Sequence, residues 1–282
     1  MYQLAPIEPV DYLIIGHITR DLTPDGPRLG GTVTYSALMA QSLGLRVGIV
    51  TSWGTELPLG PLQSIPIINN ASENSTTFEN ISTPAGRVQT VHKIAKKLDY
   101  YLVPDMWRNA PIVHLGPLVQ EVDPSIVRHF SSSLIGITPQ GWLRAWDSKG
   151  QVYLTEWPEA AFVLEHAGAA VVSLEDVEGD ERRLEEMATY CPVLAVTEGA
   201  KGVRIYWNGD IRRFPAPEAD DLDTTGAGDI FATAFFVRLH TTRDPWEAAR
   251  FANLLASISV SRIGLEAIPT PEEIQTCMIE VF

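Results

Sequence analysis

The sequence predicts an α/β protein organised as one domain over residues 1–282: a doubly wound βαβ sheet with helices on both faces and a small β-sheet lid. Three observations carry this expectation. The N-terminal stretch reads strand, loop, helix, strand; from Pro111 onward apolar strands alternate with helical segments; and between Asn69 and Tyr101 the pattern changes to polar and apolar residues in alternation.

Val10 to Ile15 is an apolar run closed by Gly16, which makes it a buried first strand. The turn formers Thr23-Pro24-Asp25-Gly26-Pro27 follow. Gly30-Gly31 then leads into a helix over Val33 to Leu43, ended by Gly44, and Arg46 to Thr51 is the second core strand. Thr76 to Ile81 and Arg87 to His92 alternate around the turn Ser82 to Gly86, the mark of strands with one covered and one wet face. Lid strands are therefore expected from about 17–29 and 74–101. Ile112 to Leu115, Leu134 to Thr138, Ala169 to Leu174 and Val193 to Thr197 continue the sheet. Helices are expected from Asp123-Pro124, over Pro158 to His166, around Glu181 to Tyr190 and over Pro245 to Ser261. Val203 to Trp207 and Ile211 to Phe214 form a hairpin about Asn208-Gly209-Asp210.

Composition limits the partners. With 282 residues, 45% of them hydrophobic and 20% charged, the chain is long enough for a substantial core. A net charge of −14 argues against non-specific nucleic-acid binding, because the phosphate backbone would be repelled. The two cysteines, Cys191 and Cys277, are far apart and make neither a disulfide framework nor a zinc pattern. No apolar run approaches the ~20 residues that span a bilayer, and no secretory signal pattern opens the sequence, so a cytoplasmic protein without membrane contact is expected.

The most informative stretch is Asp223-Thr224-Thr225-Gly226-Ala227-Gly228-Asp229, followed by the apolar run Ile230 to Leu239. A glycine-rich turn here feeds a helix whose first N–H groups lack intrahelical partners and carry partial positive charge, which makes an anion site. Glycines at 226 and 228 admit phosphate oxygens close to the backbone. Asp229 stands where a carboxylate takes a proton from an attacking hydroxyl, or serves simply as a helix cap. A Walker loop is absent, and Phe231 occupies the sixth position of what would be a dinucleotide fingerprint.

This string resembles the signature of the ribokinase-like family of carbohydrate kinases, also called the pfkB family. The resemblance implies a ribokinase-like fold with Asp229 as catalytic base and the turn Gly226, Ala227, Gly228 as anion hole. It extends to the N-terminus, where Gly16, Asp21 and Gly30-Gly31 match the segment that binds substrate hydroxyls in the family. Tyr35 stands where the family usually has a substrate-binding Asn, with Thr34 and Ser36 beside it. Arg87 and Gln89 on the lid are further substrate candidates, as is Arg144, which follows Thr138-Pro139-Gln140 in place of an Asp-Pro-Asn segment; on exposed positions such residues also serve solubility. Thr197, Gly199 and Gly202 match a nucleotide loop, with Thr225 and Asn253 on the same site. Ser173-x-x-Asp176 replaces Asn-x-x-Glu and implies magnesium held through water by Asp176, if it is not a helix cap. The family's potassium site maps onto Asp223 and Thr225.

These readings imply an ATP- and magnesium-dependent kinase, with potassium as a further cation, acting on a hydroxyl of a sugar, cyclitol or nucleoside. Phe78-Glu79-Asn80 and Gln140 to Arg144 are similar to inositol-kinase-like members, which puts a cyclitol first. The lid either closes over its own site or pairs with the lid of a second copy in a homodimer. The alternative is a noncatalytic sugar- or nucleotide-binding regulatory protein on the same fold, favoured by the altered Asn positions and opposed by the intact Asp229 and glycine turn.

Overall fold

The computed structural model describes residues 8–54, 58–83 and 86–280, with the side chains of 82, 83, 86, 87 and 280 outside the description. Strands β1 (Tyr12–Ile15), β2 (Thr19–Thr23) and β3 (Gly26–Gly30) precede helix α1 (Thr32–Ser42). Next come β4 (Val47–Thr51), β5 (Ile67–Asn69), β6 (Thr76–Thr83), β7 (Gly86–Lys93), β8 (Ile112–Leu115), β9 (Leu134–Ile137), β10 (Arg144–Trp146) and β11 (Val152–Leu154). The remainder is α2 (Ala160–His166), β12 (Ala169–Ser173), α3 (Glu181–Tyr190), β13 (Val193–Thr197), β14 (Val203–Trp207), β15 (Asp210–Phe214), α4 (Ala227–Thr242), α5 (Pro245–Ser259) and α6 (Pro271–Glu280).

The central sheet has nine strands in the order β15-β14-β13-β12-β9-β8-β1-β4-β5, parallel except for the antiparallel hairpin β14–β15 at one edge. Strands β1, β4, β8 and β12 are covered on both faces and read as continuous apolar runs, as buried parallel strands must. One core lies under α1, α4, α5 and α6 and the other under α2 and α3. The apolar stripe expected on α4 covers nearly its whole circumference: Ile230 to Phe236 are all buried, because α4 is wedged between the sheet, α1 and α5.

The lid is a four-stranded sheet, β3-β2-β6-β7. It ends at Lys93, not near 101: Leu98 turns back to the body, its N–H donating to the Glu121 carbonyl at 2.8 Å. The hairpin β10–β11, which three-residue strands left without a readable period, docks on the lid through Val91 N–H to Gly150 O at 2.8 Å. Asp123 caps a 3₁₀ turn over Pro124–His129 where an α-helix was expected.

Arg204 on β14 is 5% exposed and donates to both oxygens of Glu181, at 2.7 and 3.0 Å, while meeting Glu198 at 2.8 Å. It ties α3 and the loop after β13 to the sheet. Arg204→Ala is expected to cost about 1–3 kcal/mol by leaving the Glu198 carboxylate buried without its partner, Glu181 being half exposed, a loss measurable by urea denaturation.

Candidate active site

A cavity of about 870 Å³ opens at the C-terminal ends of β1, β8, β9, β12 and β13, beneath the lid, where parallel α/β sheets place their ligands. Its floor is the turn before α4. Gly226 sits at φ 80°, ψ −6° as the N-cap of that helix, and a Cβ on it would lie 2.2 Å from Cδ1 of Tyr35. Only glycine fits. Ala227 N–H donates to the Thr224 carbonyl at 3.2 Å, closing the turn, whereas among the described residues the N–H of Gly228 has no partner. A Cβ on Gly228 would meet nothing within 4 Å, so its backbone lies open to the cavity.

Asp229 occupies the third position of α4 and caps nothing, Gly226 being the cap. Its carboxylate is half-buried in the cavity wall and hydrogen-bonds to Thr32, the first residue of α1. Burial raises its pKa to about 6; Thr32 and Arg144 oppose that rise, and the negative charges of Asp176 and Asp21 add to it. The residue is therefore a base with strength near neutrality, at the junction of the cavity's two ends.

At one end lie Asp21, Thr19, Gly31 and Tyr35, facing Phe78, Asn80 and Gln89 of the lid. Thr19 Oγ1 donates to Asp21 Oδ1 at 2.8 Å. The carboxylate of Asp21 rests on Gly30, where a Cβ would come within 2.0 Å of Oδ2, and Gly31 at φ 85° starts α1. Gln89 lines this end and donates to Asn80 Oδ1 at 2.9 Å. Thr34 does not reach the cavity: it is completely buried and its hydroxyl donates to the Gly30 carbonyl at 2.6 Å, bracing the Gly-Gly turn. Tyr35 is 3% exposed, its ring flat against Gly226, and burial followed by the fields of Asp229, Asp223 and Asp21 raises its pKa, so the phenol stays neutral. The side chain of Arg87 lies outside the described residues.

The other end is walled by Thr197, Gly199, Gly202, Thr225 and Asn253. Gly202, at φ 94°, leaves no room for a side chain, since a Cβ would fall 2.0 Å from the Phe214 carbonyl. Asn253 spends its amide hydrogens on the carbonyls of Pro215 at 2.8 Å and Phe214 at 3.4 Å, so it shapes this wall by holding the exit of β15. Between the ends, Asp176 accepts from Gln140 at 2.8 Å and from Ser173 N–H at 3.2 Å, with Arg144 at 3.7 Å. Neither oxygen is saturated, which fits a carboxylate that meets a hydrated magnesium ion. Asp223 lies behind the turn. Burial would raise it, but hydrogen bonds from Thr225 and from Gly264 N–H, the latter at 3.0 Å, outweigh that and hold it below its ordinary value.

Sequence reasoning missed three contributors. Thr32, next to Gly31, was findable as the residue entering the helix. Glu121, 1% exposed, accepts from the N–H groups of His17, Leu118 and Val119 at 2.8–3.1 Å and locks the loops after β1 and β8; nothing periodic marks it. Glu218, Asp220 and Asp221 form an acidic rim at the Thr197–Asn253 end.

Residues 139–273 match the profile described as pfkB family carbohydrate kinase. The match spans just under half of the chain and includes Asp229 with its glycine turn. A cytidine kinase from Thermococcus kodakarensis is 26% identical over 261 residues, 86% of this chain and 92% of that protein. An inositol 3-kinase from Arabidopsis thaliana is 33% identical over 134 residues, 46% of this chain and 37% of its own length. A pyrophosphate-dependent kinase in the ribokinase family, solved with a pyrophosphate analog and myo-inositol, superposes with TM-score 0.79 at 18% identity, covering 94% of this chain and 99% of that one. The fold is thus ribokinase-like, and the chain is a phosphotransferase with an alcohol acceptor. Among the described residues no helix is long and apolar enough to cross a membrane.

Proposed function

We propose that the protein transfers the γ-phosphoryl group of ATP to a hydroxyl of a small cyclitol or sugar. The observation that carries this is Asp229, a carboxylate with its pKa pushed up to about 6, beside the unpartnered N–H of Gly228. Above that pH Asp229 takes the proton of the acceptor hydroxyl as it attacks, and the Gly228 N–H with the positive end of α4 stabilises the charge that collects on the phosphoryl oxygens. Asp176 is the residue to hold magnesium through water; the ion would neutralise the donor phosphates, as phosphoryl transfer requires. Arg144, against Asp176, adds positive charge between the two ends of the cavity.

Support for a nucleotide donor comes from the part of the cavity beyond the phosphate turn, lined by Gly199, Gly202, Ala256 and Val260, where a base and ribose would lie. A nucleoside is the second reading for the acceptor, favoured by the similarity to a cytidine kinase across most of the chain. Product formation from ribose, cytidine or myo-inositol, with ATP and with pyrophosphate as donors, tests these assignments. Turnover with ATP is expected and is expected to be best with myo-inositol; binding without turnover across the panel would overturn the kinase reading. Asp21→Asn is expected to raise KM for the acceptor by about 10–100-fold with kcat less affected, because it removes a charged acceptor of hydroxyl hydrogen bonds.

A further inference from the structure

A chain of polar groups runs through the core beneath the cavity. Thr233, one turn along α4 from Asp229, has its hydroxyl 3.3 Å from that of Tyr12. The Tyr12 hydroxyl lies 2.8 Å from His114 Nδ1, and His114 Nε2 lies 3.0 Å from Thr138 Oγ1. Thr233, Tyr12 and His114 are completely buried, while Thr138, just past β9, is 8% exposed and forms part of the cavity wall. Thr138 also stands across Gly116 from Thr32. A Cβ on Gly116 would stand 3.4 Å from Thr138 Oγ1 and 2.7 Å from Cγ2 of Thr32, the partner of Asp229.

The proton count along this chain fixes its direction. Burial pushes His114 down to about 3, so the ring is neutral at working pH and carries a single N–H. It packs edge-on against Phe236, with centroids 5.1 Å apart. A phenol is a stronger acid than a neutral imidazole N–H, and an imidazole nitrogen is a better base than a phenol oxygen. The Tyr12 O–H therefore donates to Nδ1 at 2.8 Å rather than to Thr233 Oγ1, which is farther away at 3.3 Å, is the weaker base and can itself donate to the phenol oxygen. The ring proton then sits on Nε2 and is donated to Thr138 Oγ1, which leaves the proton of Thr138 free for the cavity.

We propose that Thr138 is an acceptor-binding residue of fixed polarity, a hydrogen-bond donor set by His114 and Tyr12, that receives a hydroxyl oxygen next to the one Asp229 deprotonates. Asp21 takes hydroxyl protons and Thr138 supplies one, so together they read two neighbouring hydroxyls by opposite polarity. His114 and Tyr12 act through Thr138 and are positioning residues. The inference rests on the kinase reading above, and its test separates the two.

Nitrogen-15 NMR of the whole unliganded protein, with His114 assigned through its connectivity to Leu115, is expected to show the Nε2–H tautomer; the Nδ1–H tautomer would overturn the proposal whether or not the protein turns over. Thr138→Val is expected to raise KM for whichever of ribose, cytidine or myo-inositol is phosphorylated by about tenfold, the worth of one neutral hydrogen bond, with kcat within about threefold. Thr138→Ser is expected to restore KM to near the wild-type value. An unchanged KM in Thr138→Val, or no rescue by serine, would overturn the assignment; Thr138→Ala, read the same way, replaces the valine variant if that fails to fold. Absence of turnover by the wild-type protein with all three acceptors sinks the kinase reading, and the tautomer still decides the polarity of Thr138.

Discussion

Asp229→Asn is expected to lower kcat by about 10²–10⁴, the usual worth of a general base, while leaving the fold intact. The same carboxylate is expected to govern the pH dependence. Because its pKa in the folded protein is about 6, kcat/KM is expected to rise with pH to a plateau with an acid limb near that value, and the residual activity of Asp229→Asn is expected to lack the limb. A wild-type profile flat from pH 5 to 8 would remove Asp229 from the role. Stability moves the opposite way. The unfolded chain ionises this group near 3.8 and the folded one only near 6, so ionisation favours unfolding: below the lower value the group costs nothing, and stability falls as pH climbs between the two. At pH 8 the neutral amide is therefore expected to unfold about 1–3 kcal/mol less readily than the wild-type carboxylate, an advantage that disappears below about pH 4, as paired urea titrations at the two pH values would show. The active site thus holds an acid that the fold would sooner keep protonated, a common cost of function.

Alanine at the two turn glycines is expected to separate folding from chemistry. Gly226→Ala places a side chain at φ 80° and drives its Cβ into the buried ring of Tyr35, so a loss of about 2–5 kcal/mol is expected, together with activity. Gly228→Ala meets no protein atom and lies in the first turn of a helix, where alanine is the better helix former, so its stability is expected to equal or slightly exceed that of the wild type. Its methyl group stands in the open cavity at the N–H assigned to the phosphoryl oxygens, and kcat is expected to fall by at least about 10². Thermal melts beside initial rates distinguish the pair. Full activity in Gly228→Ala would mean that no anion approaches that backbone.

Local chemistry made much of this molecule legible. The apolar runs that became β1, β4, β8 and β13, the alternation that became β6 and β7, and the Asn208-Gly209 turn between β14 and β15 all appear within a residue or two of their expected places. Each reflects a short-range rule: an unbroken apolar run, a period of two or a positive φ. The hairpin β10–β11 escaped because strands of three residues have no period to read, and they are held by docking on the lid rather than by their own pattern.

Sequence by itself determined the glycine turn, the helix behind it and the carboxylate at position 229, because sterics and peptide dipoles act within a few residues of chain. Tertiary structure alone decided how those groups are used. Thr34 braces a turn instead of lining the cavity, and Asn253 spends its amide on the β15 exit. Asp229 owes its raised pKa to burial and to the charges of Asp176, after β12, and Asp21, on β2, which outweigh Thr32 of α1 and Arg144 of β10; the two acids lie 53 and 208 positions away in the chain. Desolvation and Coulomb fields depend on distance through space, and only the packed sheet and helices set those distances.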